Sequence, residues 1–354
     1  MNAPDKWVLV TDGHTGESRD SLTASRALVA AGYKAAVTLS TRVSLATASR
    51  ACSHRVRVPF AWEPGYVEAI RAELASPVRN YVTYLPTSEA ALLALGTQVP
   101  DLLDKTKLAE RASAVGVSSP QSLEFATTAE LLEAAESLDY PIVVKPQVRR
   151  RPASYLSSPE ELRATDLGDG PHLVQRFLTD QMGAVSGVMW HGDLVAAVHE
   201  RWLRLWPHPC GLASAAETVE PDADLERRLA ALLDGYDGIF HAQFAGQYLL
   251  DLNLRVHTSH PLGVAAGVNL VGIYVGLMDG AEPMTVRARP RARFRWIEGD
   301  LRNVGRRLRQ KKIGLAAAGA TLKPRRGTAH STESLKDPLP TVIRLGHAAR
   351  RALR

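Results

Sequence analysis

Residues 248–255, YLLDLNLR, alternate without a break: Leu250, Leu252 and Leu254 fall on one side, Asp251, Asn253 and Arg255 on the other. Alternation of this kind specifies a strand with one buried face. An acid, an amide and a guanidinium in a row make an unusual solvent face and a good holder for a cation and a phosphate. Residues 239–244 read as the partner strand, with Ala245-Gly246-Gln247 as the turn. With a three-residue loop, Gln243 faces Leu249, lies diagonally across from Asp251 and shares a side with Asn253. A two-residue loop reverses that parity. Gln243, Asp251 and Asn253 are hard oxygen donors and suit Mg²⁺, which takes few ligands from protein and the rest from phosphates. Taken alone, the hairpin reads equally well as an ordinary exposed strand face.

The rest of the chain sets the context for that hairpin. Its 354 residues suffice for two or three domains. Hydrophobic residues at 45% and charged residues at 23% belong to an ordinary soluble globular protein. Cys52 and Cys210 are too few for a disulfide framework and lack metal-site spacing, which points to a reducing cytoplasm. The opening MNAPDKWVLV has no charged stretch followed by a long apolar run, so no signal peptide is expected. The longest apolar run, residues 261–278, is just long enough to span a bilayer, but Asn269 and the flanking motif argue for a buried loop and helix beside the site. No membrane insertion is expected.

The net charge of +6 is unevenly spread. From Arg287 onward there are 19 Lys/Arg and 4 Asp/Glu, a balance of +15 against −9 for the remainder. The basicity belongs to the tail. A basic helix over residues 301–313, with Leu301, Val304 and Leu308 on one side, a flexible stretch 323–337 and a final helix 341–354 are expected. The tail lacks aromatic interleaving or a nucleic-acid module, so docking on the acidic body or solvation is favoured over nucleic-acid binding.

From the start, residues 7–11 form an apolar strand, residues 21–31 a helix ended by Gly32, and residues 35–39 a second strand. This βαβ opening is Rossmann-like. It carries no G-x-G-x-x-G and no P-loop lysine. Strands at 56–59 and 81–85 continue the parallel series, and Pro86-Thr87-Ser88 caps a helix at 89–95.

The stretch DLNLRVHTSHPLGVAAGVNL resembles the C-terminal signature of ATP-grasp ligases, usually E-x-N-P-R followed by small residues and A-x-x-x-G-V-[DN]. Asp251, Asn253 and Arg255 fall on its acid, amide and arginine, and Gly267, Val268 and Asn269 on its close. Leu254 replaces the proline. Gln243 stands where the family typically has a glutamate as first metal ligand, and a neutral ligand should weaken cation binding. Residues 1–100 look like the pre-ATP-grasp domain of biotin carboxylase and D-aspartate ligase relatives.

The resemblance implies further site residues. Lys105, opening a helix after Asp104, approaches the nucleotide phosphates. Lys145, ending the strand of YPIVVKP, holds the α-phosphate and the adenine edge; a lysine ending a buried strand is costly unless it meets an anion. Where the family has a glycine-rich loop, this chain has QVRRRPASY. Arg149, Arg150 and Arg151 either clamp the phosphates instead or form an exposed basic loop. Residues 172–178, HLVQRFL, match the family hinge. Gln175 meets the adenine amino group, the backbone of Arg176 and Leu178 flanking Phe177 supplies the other bonds, and Asp180 is a ribose partner. Arg201 and Arg204 are candidates to face the γ-phosphate or the acyl phosphate. His257, His260 and His241 invite a zinc reading, which H-x-x-H without a fixed third ligand supports poorly.

The expected architecture is α/β. A Rossmann-like pre-ATP-grasp domain (1–103) precedes a two-lobed α+β ATP-grasp domain (104–178 and 179–286) and a basic C-terminal extension (287–354). The activity implied is that of a cytoplasmic ATP-dependent carboxylate–amine ligase with ATP and Mg²⁺, acting through an acyl phosphate on small molecules, amino acids or peptides. A homodimer is compatible with it. The alternative is a decayed ATP-grasp protein that binds nucleotides or serves as a scaffold. Substrate-selecting residues are expected within 257–262, 149–155 and 13–18.

Overall fold

The computed structural model describes residues 5–12, 16–147 and 153–352. Val8, Leu9 and Val10 are fully buried at the centre of β1 (Lys6–Thr11), as a strand covered on both faces requires. With β2 (Lys34–Leu39), β3 (Cys52–Arg57) and β4 (Asn80–Pro86) it makes a parallel sheet in the order β3-β2-β1-β4. Val8 and Val10 pack with Leu22 and Leu28 of helix Arg19–Ala30, and Leu9 packs on the other face with Tyr66, Ile70 and Ala91 of helices Tyr66–Leu74 and Glu89–Leu95. Ser18 and Ser88 cap the first and third of these helices. The strand order reverses between β1 and β4, which puts Asp12 and Ser88 at the point where open α/β sheets bind ligands.

Helix Lys105–Ala114, capped by Asp104, leads into a second sheet. Its strands are β5 (Ser122–Phe125), β6 (Ile142–Pro146), β7 (Ser154–Leu156) and β8 (His172–Arg176), antiparallel in the order β5-β8-β6-β7. Thr127 and Ser158 cap helices Thr128–Glu133 and Pro159–Ala164, whose Leu131 and Leu162 close a small core over Ile142, Val144 and Val174.

The large sheet contains β9 (Met182–Trp190), β10 (Asp193–Trp206), β11 (Leu212–Thr218), β12 (Gly238–Ala245), β13 (Tyr248–Asn253), β14 (Val286–Arg287), β15 (Arg293–Arg295) and β16 (Thr328–His330). Its order is β13-β12-β9-β10-β11-β15-β16, with β14 beside β10. Val188, Val198 and Ile239 join the core of the first helix and of helix Leu270–Met278. Met189, Phe240 and Leu252 face the other way, onto helix Ala223–Leu232. The first sheet's domain is therefore fastened to one face of the large sheet, and β12–β13 forms its edge. Among the described residues no helix is long and apolar enough to cross a membrane.

The tail departs from expectation. Its helix runs Ile297–Arg309, and its inner residues are Gly299, Asp300, Asn303 and Val304, whereas Leu301 stands half exposed. The cause is electrostatic: Asp300, with no exposure at all, is gripped by Arg204 and by Arg295 (2.6 Å), which turns that face inward. The stretch expected to be flexible contains β16, buried Ser331 and Thr332, and Asp337, which accepts from Ser49 Oγ, the Arg50 amide and Arg26. Arg344, in the last helix, Leu339–Ala352, pairs with Glu17 and Glu298. The tail docks on the body through acids of its own as well as through its arginines.

Candidate active site at the hairpin edge

Ala245 pairs with Tyr248, so the turn between β12 and β13 is Gly246-Gln247, two residues rather than the three expected. Gly246 has φ +55°, and an added Cβ would sit 3.1 Å from Asp180 Oδ1, so glycine is required there. The parity survives because the register slips at a bulge: Phe244 faces Leu249, but Gln243 faces Asp251 and His241 faces Asn253. Leu250 is the extra residue. The bulge brings Gln243 directly opposite Asp251, closer than the diagonal relation expected from sequence. Asn253 Nδ2 lies 3.4 Å from Asp251 Oδ2, and Arg255 Nη2 donates to Asn253 Oδ1 at 3.1 Å.

Lys145 ends β6 nine-tenths buried, and its Nζ donates to the carbonyl of Leu250 at 2.9 Å. The small sheet is thereby tied to the bulge, one residue from Asp251. Arg255 makes a second tie. Its Nη1 donates to Asp20 in the first helix at 2.9 Å, and its Nε lies 3.8 Å from Glu89 in the third. The fold thus brings Gln243, Asp251, Asn253, Arg255 and Lys145 to one junction of three sheets.

The remaining expected residues are more dispersed. Lys105 opens its helix, partly exposed. Gln175 donates to Ser122 Oγ at 2.9 Å, the Phe177 amide donates to the carbonyl of Pro141, and Arg176 pairs with Asp139 at 3.6 Å. Leu178 follows β8, and Asp180 lies against Gly246. Arg201 pairs across the sheet with Glu217, and Arg204 with Asp300. Arg149, Arg150 and Arg151 lie outside the described residues.

Beside the hairpin lies a cavity of about 160 Å³ lined by Trp202, His241, Gln243, Arg255, His257 and Ser259, among others. His257 Nδ1 is 2.9 Å from Ser259 Oγ, which donates to Glu200 Oε1 at 3.1 Å; Trp202 Nε1 donates to the same oxygen at 2.8 Å. Burial pushes the Glu200 carboxyl up to about 7, against the pull of those two donors. Burial, then the neighbouring imidazoles and Arg255, hold His257 well below the usual histidine range, and burial takes His260 down to about 4. The rings of His241 and His257 stack at 4.1 Å. Among the described residues no group of three or more His, Cys, Asp or Glu could hold a metal ion.

Sequence reasoning missed Asp20, Glu89 and Glu200. The first two are helix-start acids indistinguishable from ordinary macrodipole partners. Glu200 carried one signal, an acid sitting at a buried position between His199 and Trp202.

This three-sheet arrangement is the fold of the ATP-grasp ligases. Solved structures similar to it include an L-amino acid ligase from Bacillus licheniformis, with TM-score 0.56 and 15% identity over 80% of this chain and 76% of that one. N5-carboxyaminoimidazole synthase from Aspergillus clavatus, in complex with ADP and 5-aminoimidazole ribonucleotide, has TM-score 0.59 and 15% identity over 81% and 80%. A biotin carboxylase–ATP complex from Campylobacter jejuni has TM-score 0.58 and 15% identity over 80% and 74%. In sequence, the chain is 29% identical over 228 residues to the carbamoyl phosphate synthase large chain of Myxococcus xanthus (strain DK1622), covering 55% of this chain. The chain aligns with only 20% of that relative's length. No family model matches.

Proposed function

We propose that the chain is an ATP-dependent carboxylate–amine ligase. The observation that carries this reading is the bond of Lys145 Nζ to the backbone carbonyl of Leu250, in the strand that carries Asp251 and Asn253 and leads to Arg255. ATP with Mg²⁺ would supply the activation, passing its γ-phosphoryl to a carboxylate so that the acyl phosphate can be attacked by an amine. The donors fit that group in one particular way. Gln243, Asp251 and Asn253 each have a side-chain oxygen that can serve as a ligand, with a single negative charge among them, which suits Mg²⁺ shared with phosphates rather than held by protein alone.

The chain's own groups then have distinct tasks. Lys145, buried and pinned to Leu250, presents a fixed positive charge to the phosphates. Arg255, held by Asp20 and Asn253, is pre-oriented and costs little ordering when an anion arrives. Lys105 adds charge from its helix start. Gln175, Arg176, Phe177 and Leu178 line the adenine side and Asp180 the ribose side. Arg201 is paired with Glu217 and Arg204 with Asp300, as Arg255 is with Asp20, and Lys105, Lys145 and Arg255 share the anionic load. The substrates are small molecules, with amino acids or peptides as the proposed class.

Calorimetry of ATP with and without Mg²⁺, on wild type and Asp251→Asn, tests the reading. Binding that needs Mg²⁺ and weakens about tenfold or more in the variant is expected. Binding indifferent to both the metal and the substitution, or none at all, overturns it.

A further inference from the structure

A larger cavity, of about 520 Å³, opens where β4 of the first domain meets the end of β9, the start of β12 and helix Leu270–Met278. Gln243, Asp251, Asn253 and Lys145 are absent from its walls, so it is separate from the hairpin site, although Arg255 borders both. Its volume falls within the roughly 300–1,000 Å³ of small-molecule pockets. Tyr84, Trp190 and Tyr274 line it, and the rings of Trp190 and Tyr274 meet edge to face at 6.4 Å. Asp237 is the one acid of the lining. Its carboxylate is fixed by the backbone amide of His191 and lies 3.1 Å from that residue's Nδ1. Arg255, the one base of the lining, already gives its Nη atoms to Asp20, Asn253 and the carbonyl of Val256. Asp237 therefore sets the sign of these walls. Three hydroxyls in them are unused. Thr97 Oγ1 is buried without a hydrogen-bond partner, and the hydroxyls of Tyr84 and Tyr274 have none among the described residues. Burial, then Tyr84 and Asp237, push the Tyr274 phenol above its ordinary range, so the fields of those two groups reach it.

We propose that this cavity binds a small organic cation, a primary ammonium carried on an apolar or aromatic stem. Aromatic faces attract a cation, and Asp237 has lone pairs left for a charge-assisted hydrogen bond. The hydroxyl oxygens of Tyr84 and Tyr274 accept the remaining N–H groups, so three donors meet three acceptors. The stem rests against Leu92, Leu95, Ile239 and Met278. A neutral molecule of the same shape forgoes the charge terms, and an anion meets Asp237 head-on. Because the walls come from the first domain and from the large sheet, an occupant bridges the two and stabilises their junction by mass action. The site stands independently of the ligase reading.

The test titrates phenethylamine and hexylamine into the full chain by calorimetry, with phenethyl alcohol and hexanol as their neutral counterparts. At about pH 8 an ordinary histidine is neutral while the ammonium keeps its charge. Saturable binding with a Kd of about 1 mM or tighter is expected for at least one amine, and binding about tenfold weaker for its alcohol. Asp237→Asn keeps an acceptor for His191 and is expected to weaken that amine about tenfold or more. Tyr84→Phe and Tyr274→Phe remove hydroxyls that no other group uses. Each is expected to weaken the amine about fivefold and to leave the thermal midpoint of the free protein unchanged. The amine should raise the midpoint of wild type but not that of Asp237→Asn. Asp251→Asn, at the hairpin, is expected to leave the amine's affinity as it was. Absence of saturable binding by either amine overturns the proposal, and so do alcohols that bind as tightly. An affinity that falls in Asp251→Asn but not in Asp237→Asn overturns it as well, because the amine then sits at the hairpin.

Discussion

Lys145 Nζ sits 2.9 Å from the carbonyl oxygen of Leu250, the residue by which β13 bulges. The lysine donates to that carbonyl. One contact thus holds the small sheet over the hairpin and sets a buried ammonium beside Asp251. Lys145→Met is expected to leave the carbonyl unsatisfied, at a cost of about 1–3 kcal/mol. The same variant should lose ATP affinity. Urea unfolding and ATP calorimetry on one preparation check both; intact affinity would separate the lysine from the nucleotide.

Arg255 joins the hairpin to the first sheet's domain through Asp20, with both side chains more than four-fifths buried. Removing the cation takes a charge partner from Asp20 and from Glu89, 3.8 Å from Nε, and Arg255→Met is expected to cost about 3 kcal/mol. Arg255→Met combined with Asp20→Leu should recover part of that loss in a thermal melt, because the acid nearer the lost cation is gone. A double variant no more stable than the single one would mean that the arginine acts through other contacts.

The pH dependence of stability follows from three buried groups. Asp12 and Glu200 are pushed by burial from the ordinary carboxyl values of 3.8 and 4.5 up to about 7. The folded state therefore holds protons that the unfolded state lacks, and the stability present below pH about 4 is lost as pH rises through 7. His260, lowered from 6.5 to about 4, works in the opposite sense: its contribution is full above 6.5 and is lost as pH falls toward 4. Above 6.5 only the carboxyls of this trio still titrate. Stability is expected to fall on the order of 1 kcal/mol between pH 6.5 and 8, and by less in Glu200→Gln. Urea midpoints at the two pH values give the answer, and a rise in wild type over this interval would contradict it.

The hairpin was legible because period-two alternation is a local signal, and so was the helix Glu89–Leu95 capped by Ser88. The bulge was not, since the slip at Leu250 depends on the neighbouring sheet and leaves no mark in residue types. Contacts between distant segments were equally silent. Asp20 and Arg255 are 235 residues apart, and nothing in the helix start of the one or the strand end before the other announces the pairing. The tail helix was misread for a related reason. An amphipathic pattern assigns Asp300 to the outside, and only its pairing with two arginines from separate strands brings it in.

Gln243 faces Asp251 directly, which makes this position the sharpest test of the proposed metal set. A glutamate there would supply a second negative ligand, and Mg²⁺ shared with ATP should then bind at roughly tenfold lower concentration. The gain has a counterpart. Without metal, two carboxylates would stand opposite each other on paired strands, a destabilising arrangement worth roughly 0.2–1 kcal/mol. Gln243→Glu is therefore expected to melt lower than wild type when free and higher when ATP and Mg²⁺ are present together. ATP without metal should not rescue it. Thermal melts under these conditions separate the cases: a variant equally destabilised with and without Mg²⁺·ATP would show that no cation comes between residues 243 and 251. In that event the same-face Asp-x-Asn-x-Arg strand would owe its arrangement to the Asn253–Arg255–Asp20 hydrogen bonds alone.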